Sequence, residues 1–373
     1  MSAPRVIVSV TNDLYTDQRV HKVCSYLHDN GYNVLLVGRR LPNSKRIDDR
    51  QYSTHRMKLI FKKGALFYAF FNLRLFLFLL FKRCDILLSN DLDTLLANRI
   101  ASQIKRNKLV YDSHELFTEV PELTARPKVK KVWLFIEKRI FPKLKHVYTV
   151  NDSIAKIYEE RYGINVGVIR NVSRKWEPKT LKTKVELSIP EDKRMIILQG
   201  SGINIDRGGE EAVESMQWVS NAVLYIVGGG DVIEHLKELV TTNDLLKKVV
   251  FIDRVPYEDM MNYTYHADLG LTLDKDTNPN YRFSLPNKVF DYIHTGTPVL
   301  SSDLVEIRKV IEQHNVGVIL KEYSSKSVAS EINKLFEEPE ALKQMKDNCI
   351  SASKEECWEN EREKLSQYFP SVH

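Results

Sequence analysis

Apolar residues along this chain recur in two rhythms. Residues 5–10, RVIVSV, form a short apolar run of the kind buried in a parallel sheet. A polar stretch, TNDLYTDQR, follows as a loop. Val20, Val23, Cys24 and Leu27 then repeat at helical spacing, and Gly31 supplies a stop. Residues 33–37 return to the strand pattern. This strand–helix–strand opening predicts a parallel sheet with right-handed crossovers. The alternation predicts further strands over 85–89, 108–112, 146–150 and 167–170. Helices are expected between them over 93–104, 129–143 and 153–162.

Residues 174–192 are polar and flanked by prolines, and read as a linker. The alternation then restarts. Strands are expected at 195–199, 222–227, 248–252, 268–273, 297–301 and 315–320, and a helix at 209–218. The chain reads as helical from 325 to 368. The expected organisation is α/β: two Rossmann-like doubly wound domains facing a central cleft, with a helical C-terminal segment. Their bounds are placed at 1–173 and 193–355, with 356–373 expected to pack back on the first domain. Ligands of such folds sit at the C-terminal ends of the strands.

One stretch departs from the alternation. Residues 65–81, ALFYAFFNLRLFLFLLF, are apolar except for Asn72 and Arg74, with Lys62, Lys63, Lys82 and Arg83 at the flanks. Seventeen residues is the short limit for a bilayer span, and a central arginine costs a few kcal/mol there. A strand follows at once, so a span would divide the first sheet. A helix packed on that sheet is expected instead. Its apolar residues run all round, more than one packed face requires, so part of it is read as lying in a membrane interface. Residues 127–145 add a basic amphipathic segment to the same half.

Composition changes this picture in one respect. At 43% hydrophobic and 28% charged, the chain is an ordinary globular protein. The net charge of +6, however, hides an asymmetry. The first 175 residues hold 32 Lys and Arg against 16 Asp and Glu, and the remainder hold 23 against 33. A basic half points to an anionic partner, a membrane surface, an anionic lipid carrier or a nucleic acid, and no recognition motif supports the last. Four scattered cysteines without a CxxC pair, and a start directly into a strand, lead to the expectation of a cytoplasmic protein, on the cytoplasmic face of a membrane.

The richest chemistry lies in residues 280–302, NYRFSLPNKVFDYIHTGTPVLSS. Pro286 is placed at a first helical position and Gly296 at the stop. Val289, Phe290 and Ile293 share an apolar face. Lys288 opposes the helix dipole, which makes sense where an anion binds the helix start beside Leu285, Pro286 and Asn287. Asp291, a turn deeper, is placed to accept bonds from hydroxyls such as those of a ribose; a solvated surface pair is the plain alternative. The loop from Gly200 through Gly202 to Gly209 joins a strand to a helix, and Arg207 in it suits bidentate phosphate contact. It carries neither a Walker lysine nor a dinucleotide fingerprint. Gly228–Gly230 reads as a tight turn. His114, at a strand end, is a candidate to bind substrate or take a proton, against a plain structural role. Asp91–Asp93 and Asp274–Asp276 have carboxylate spacing able to hold a divalent cation, but helix capping explains the first pair better, and no metal site is expected.

These pieces together resemble the retaining, nucleotide-sugar-dependent glycosyltransferases of family 4. The resemblance rests on the Asp-Arg-Gly loop at 206–208, SLPNKVFDYIHTGTPVL, and the first-half pieces VTNDLYTDQRVHKVCSYL, VYDSHEL and VIRN, and covers nearly the whole chain. It implies the GT-B arrangement and the style of bacterial members that build surface polysaccharides. By position it implies that Arg207 and Lys288 bind the donor diphosphate and that Asp291 binds ribose hydroxyls. Asp253 and Arg254 would lie by the nucleobase, and His114 near the transferred sugar. Asn12, Asp13 and Asp17 would line the acceptor side. It further implies retention of configuration, a metal-independent donor site, no cofactor beyond the nucleotide-sugar co-substrate, and a lipid-linked or polysaccharide acceptor.

The chain departs from the family pattern at three places. The first acid of the paired-acid motif falls near Phe283 and is missing. The Arg–Lys pair of the Gly-rich loop is reduced to Arg207. Asn12-Asp13 replaces the glycines of the first loop. A nucleotide-sugar epimerase of similar build, or a non-catalytic two-lobed binding module, is the alternative reading.

Overall fold

The computed structural model describes residues 3–372 except Thr16, Asp48, Asp49 and Lys179. The contacts divide the chain into two units, one from residue 170 back to the N-terminus together with the chain from Arg362 on, the other Asn171–Glu361.

The first unit holds a parallel seven-stranded sheet. Its strands are β1 (Arg5–Asp13), β2 (Asn33–Arg40), β3 (Ser53–Lys58), β4 (Ile86–Asn90), β5 (Lys108–Ser113), β6 (Val147–Thr149) and β7 (Gly167–Val168). They lie in the order β3-β2-β1-β4-β5-β6-β7. Helices α1 (Gln18–Asp29), α2 (Gly64–Phe81), α3 (Leu92–Lys105), α4 (Pro121–Thr124), α5 (Pro127–Ile140) and α6 (Asp152–Tyr162) connect them. All five residues of β4 are buried, as a central parallel strand covered on both faces requires. Strand β3, STHRMK, escaped the periodicity because it is an edge strand that buries only Met57. The C-terminal stretch is pinned to this sheet. The Tyr368 hydroxyl donates to Val147 O at 3.0 Å, and Lys108 Nζ to Tyr368 O at 2.6 Å. Phe369 is fully buried.

The second unit holds a parallel six-stranded sheet in the order β10-β9-β8-β11-β12-β13. Its strands are β8 (Arg194–Gly200), β9 (Ala222–Gly228), β10 (Val249–Ile252), β11 (Leu269–Thr272), β12 (Val299–Ser301) and β13 (Gly317–Ile319). Its helices are α7 (Gly209–Ser215), α8 (Ile233–Thr242), α9 (Tyr257–His266), α10 (Pro279–Arg282), α11 (Asn287–Thr295), α12 (Val305–His314), α13 (Ser325–Glu337), α14 (Pro339–Ala352) and α15 (Trp358–Glu361). Residues 174–192 are not a bare linker. Leu187 and Ile189 are buried in this unit's core, and Lys182 Nζ pairs with Asp259 at 2.5 Å. Their polar neighbours masked two apolar anchors. The Pro339 break divides the helical end of the unit into α13 and α14.

Strand order reverses between β1 and β4 in the first sheet and between β8 and β11 in the second. At such a reversal the following loops diverge to opposite faces and leave a crevice at the strands' C-terminal ends. The candidate residues after β4, β5, β8 and β11 are carried to these edges.

Candidate active site

The second unit gathers a cationic cluster at its switch point. Gly208, at φ +74, lies against the chain after β11, where a Cβ would stand 2.3 Å from Leu273 O. Only glycine fits that conformation and that approach. The contact brings the Gly-rich loop onto the segment that carries Asp274. Arg207 Nη1 donates to Asp274 Oδ1 at 3.1 Å, and Lys288 Nζ lies 3.7 Å from Asp274 Oδ2. Asp274 is fully buried, and Lys288 is 12% exposed. The Arg207 guanidinium also lies over the Tyr281 ring, 4.2 Å from its centre. Burial lowers the Lys288 pKa; Asp274 opposes this, Arg207 adds to it, and the net direction is down. Two cations around one carboxylate leave surplus positive charge, the electrostatic requirement for an oxyanion ligand. Lys288 belongs to the first turn of α11, whose first residue is Asn287; Pro286 is its cap, one place earlier than the sequence pattern implies.

The supporting loop is built on further glycines. A Cβ on Gly228 would meet Gly200 O at 1.9 Å, and one on Gly230 would meet Ile203 O at 1.9 Å. Ile203 N donates to Gly229 O at 3.0 Å. Gly228–Gly230 is therefore the cradle of the Gly-rich loop and more than a tight turn. Arg254 reaches the same loop, donating to Ser201 O at 2.7 Å, while Asp253 beside it is exposed. Gly202 is exposed, and Leu285 packs against the core.

Asp291 corrects an expectation. It is only 4% exposed. Its Oδ1 accepts from Ser173 Oγ at 2.7 Å and from the Tyr257 hydroxyl at 2.8 Å, and its Oδ2 from Gln199 Nε2 at 3.1 Å. The α11 face that carries Asp291 turns into the unit, so this carboxylate ties α11 to β8, α9 and the chain entering the unit. A ribose would have to displace one of those donors. The second Asp-x-Asp pair is divided between cationic side chains. Asp274 faces Arg207 and Lys288, whereas Asp276 accepts from Arg282 Nε at 2.9 Å.

The first unit has its own buried charge cluster, at the ends of β4 and β5. His114 Nδ1 lies 3.2 Å from Asp91 Oδ2, and Nε2 lies 3.3 Å from Asp112 Oδ2. Arg19 grips Asp112 with Nε at 3.1 Å and Nη2 at 2.8 Å, and gives Nη1 to Ile169 O at 3.0 Å. Burial alone would favour neutral imidazole. Asp91 and Asp112 outweigh it and raise the His114 pKa to about 9. Burial likewise disfavours the Asp112 carboxylate, but Arg19 and His114 hold its pKa at about 2. His114 is thus a cation at neutral pH, a donor and not a proton acceptor.

Asp91 and Asp93 do not cap α3 as the pattern implies. Asp91 sits at the cap position with φ +57 and turns its carboxylate to His114, accepting from His114 N at 2.8 Å. Asp93 is buried and bonds Thr11; burial, with Asp91 beside it, pushes its pKa up to about 7. In the loop after β1, Asp17 caps α1 by accepting from Val20 N at 3.1 Å, and Asn12 Nδ2 donates to Asp17 at 3.4 Å. Asp13 accepts from Arg56 at 2.9 Å and from Ser44. Asn12 and Asp17 thus brace the turn into α1, while Asp13, at the end of β1, ties it to β3 and the chain before it.

Motif reading missed Arg19, and took Asp274 for half of a carboxylate pair where it is the counter-ion of Arg207 and Lys288. The signal for Arg19 was a charge next to Val20 on the apolar side of α1. The signal for Asp274 was its place directly after an apolar strand.

Comparison with known proteins bears on the family and the fold. Residues 17–172 match the family described as Glycosyltransferase Family 4, and residues 182–352 match Glycosyl transferases group 1. A chitobiosyldiphosphodolichol beta-mannosyltransferase from Candida albicans is 23% identical over 291 residues, 71% of this chain and 62% of that protein's length. Among solved structures, a sucrose-phosphate synthase from Thermosynechococcus elongatus superposes with a TM-score of 0.80 at 16% identity, over 98% of both chains. A glycosyltransferase from Rickettsia africae ESF-5 gives 0.79 at 14% identity, over 99% of this chain and 98% of its own. Anabaena HepE, solved with UDP and glucose, gives 0.75 at 15%, over 99% and 100%. With its two parallel-sheet Rossmann-like units and one family match across each, the chain belongs to the group 1, family 4 glycosyltransferases of the GT-B fold.

Proposed function

We propose that this protein transfers a sugar from a nucleoside-diphosphate donor to a lipid-linked or polysaccharide acceptor, with retention of anomeric configuration, at the cytoplasmic face of a membrane. The observation that carries the reading is the Arg207–Asp274–Lys288 cluster at the switch point of the second sheet. Breaking a sugar–phosphate bond builds negative charge on the leaving diphosphate. A guanidinium and an ammonium already fixed there stabilise that charge as it develops, at no cost of reorganisation. Because the two side chains supply this charge themselves, donor turnover is expected to persist in EDTA. In the first unit, the His114 imidazolium, held between Asp91 and Asp112 with Arg19 behind it, places a fixed positive charge beside the sugar.

The solved complexes of Anabaena HepE with UDP-glucose support a nucleotide-sugar donor. The name of the Candida relative, a mannosyl transfer to a diphosphodolichol-linked sugar, supports a lipid-linked acceptor. That name also specifies a beta linkage, so configuration has to be read from the product. Four free cysteines, three of them buried, fit a reducing compartment. The test is incubation with a panel of nucleotide sugars and short lipid-linked acceptors, with NMR of the product. Acceptor-dependent release of nucleoside diphosphate and a donor-like anomeric signal are expected. Acceptor-independent epimerisation, or no turnover with any donor, would refute the reading.

A further inference from the structure

Helix α2 has two apolar faces. Phe67, Phe71, Leu75 and Leu79 repeat every four residues and are buried. On the outward side of the helical wheel stand Leu66, Leu73 and Leu77, with Phe81 at the helix end, which are 63%, 54%, 45% and 85% exposed. The neighbouring helices continue this outer face. Asn72 fixes α2 to α3 by donating to Asp93 O at 2.7 Å and accepting from Ala97 N at 3.2 Å. On α3, Ile100 and Ile104 are exposed. Tyr68 meets Trp133 of α5 edge to face, and α5 exposes Val132 and Phe135.

The exposed charge on these helices and their flanks is mostly of one sign; nearby carboxylates include Glu119, paired with Lys130 at 2.7 Å, and the exposed Asp85 and Glu122. Lys62, Lys63, Lys82 and Arg83 flank α2, and Lys128, Lys131, Lys138 and Arg139 are exposed on α5. The acidic residues of the three helices are Asp93 and Glu137, and both are buried. An exposed apolar surface ringed by cations, with no exposed carboxylate of its own, complements an anionic phospholipid bilayer.

We infer that the outer face of α2, continued by α3 and α5, docks this protein on an anionic bilayer, with α2 lying in the interface plane. The Asn72 bonds and the buried stripe hold α2 to the first unit and leave only its outer face for lipid. The inference deepens the membrane reading above and rests on it for purpose, while the geometry stands without any donor.

The test is cosedimentation of the full chain with phosphatidylcholine vesicles, with and without an equal part of phosphatidylglycerol. Binding to the mixed vesicles is expected to be at least about tenfold tighter and to weaken as salt is raised. A Leu73→Glu/Leu77→Glu variant is expected to lose that binding by about tenfold or more while melting like the wild type. Lys128→Ser/Lys131→Ser/Lys138→Ser is expected to lose mainly the preference for phosphatidylglycerol. Protein that stays in the supernatant with mixed vesicles, or unchanged sedimentation of the leucine variant, would overturn the inference. So would a concentration-dependent dimer, dispersed by Leu73→Glu/Leu77→Glu, without vesicle binding: the face would then seat a second copy. Nucleoside diphosphate release, followed in the same samples with a soluble acceptor, reports the catalytic reading separately.

Discussion

Asp274 is fully buried and meets two cations, so its removal acts in two ways. Asp274→Asn is expected to lower stability by about 3 kcal/mol, because Arg207 and Lys288 lose their counter-charge in a desolvated place; a urea titration checks this. Arg207→Ala and Lys288→Ala are expected to leave the fold intact and to reduce turnover by about a hundredfold to a thousandfold each, checked by steady-state kinetics. His114 carries a pH prediction. Its folded pKa of about 9 stands above its ordinary value of 6.5. The stability it contributes is therefore fully present below about pH 6.5 and is lost as pH rises through about 9. An NMR titration of the imidazole should show the late midpoint, and His114→Gln should flatten the alkaline fall in melting temperature. Lys288 stood out in the sequence because a cation in a first helical turn opposes the helix dipole, and Arg207 because a guanidinium in a Gly-rich loop suits bidentate phosphate contact. Asp274 did not, since a buried counter-ion and a metal ligand look alike until their neighbours are known. Asp291 misled for a related reason: spacing puts it on α11 but does not say which face turns inward.

At the scale of elements, the glycines set where the charged groups sit. Gly208→Ala forces a side chain onto a φ of +74 against Leu273 O, and is expected to cost of order 2 kcal/mol and to displace Arg207, weakening nucleotide binding in a calorimetric titration. Helix α2 offers a matched pair. Leu75→Ala on the buried stripe is expected to cost about 2–5 kcal/mol, and Leu73→Ala on the outer face almost nothing, by urea titration. Most strands could be read from apolar runs because both faces of a parallel sheet are covered. β3 could not, since an edge strand with one buried residue leaves no period to detect. The helix over 65–81 was legible in length but not in orientation. Apolar residues on opposite faces cancel the periodic signal that normally tells inside from outside.

For the whole molecule, the division into two units separates the candidate chemistries. The second unit, acidic in sum, carries the local Arg207–Lys288 cluster suited to a diphosphate, and the first carries the His114 cluster and the apolar, basic helix face. The domain boundary was harder to read than the domains, because polar residues around Leu187 and Ile189 disguised a core segment as a linker. The most direct measurement is calorimetric titration of a panel of nucleoside diphosphates into the wild type and into Lys288→Ala. At least one nucleoside diphosphate is expected to bind the wild type, and to bind Lys288→Ala at least about tenfold more weakly while the variant still melts cooperatively. Equal affinity in the two proteins, or no binding by any of the panel, would contradict a diphosphate site at Arg207 and Lys288.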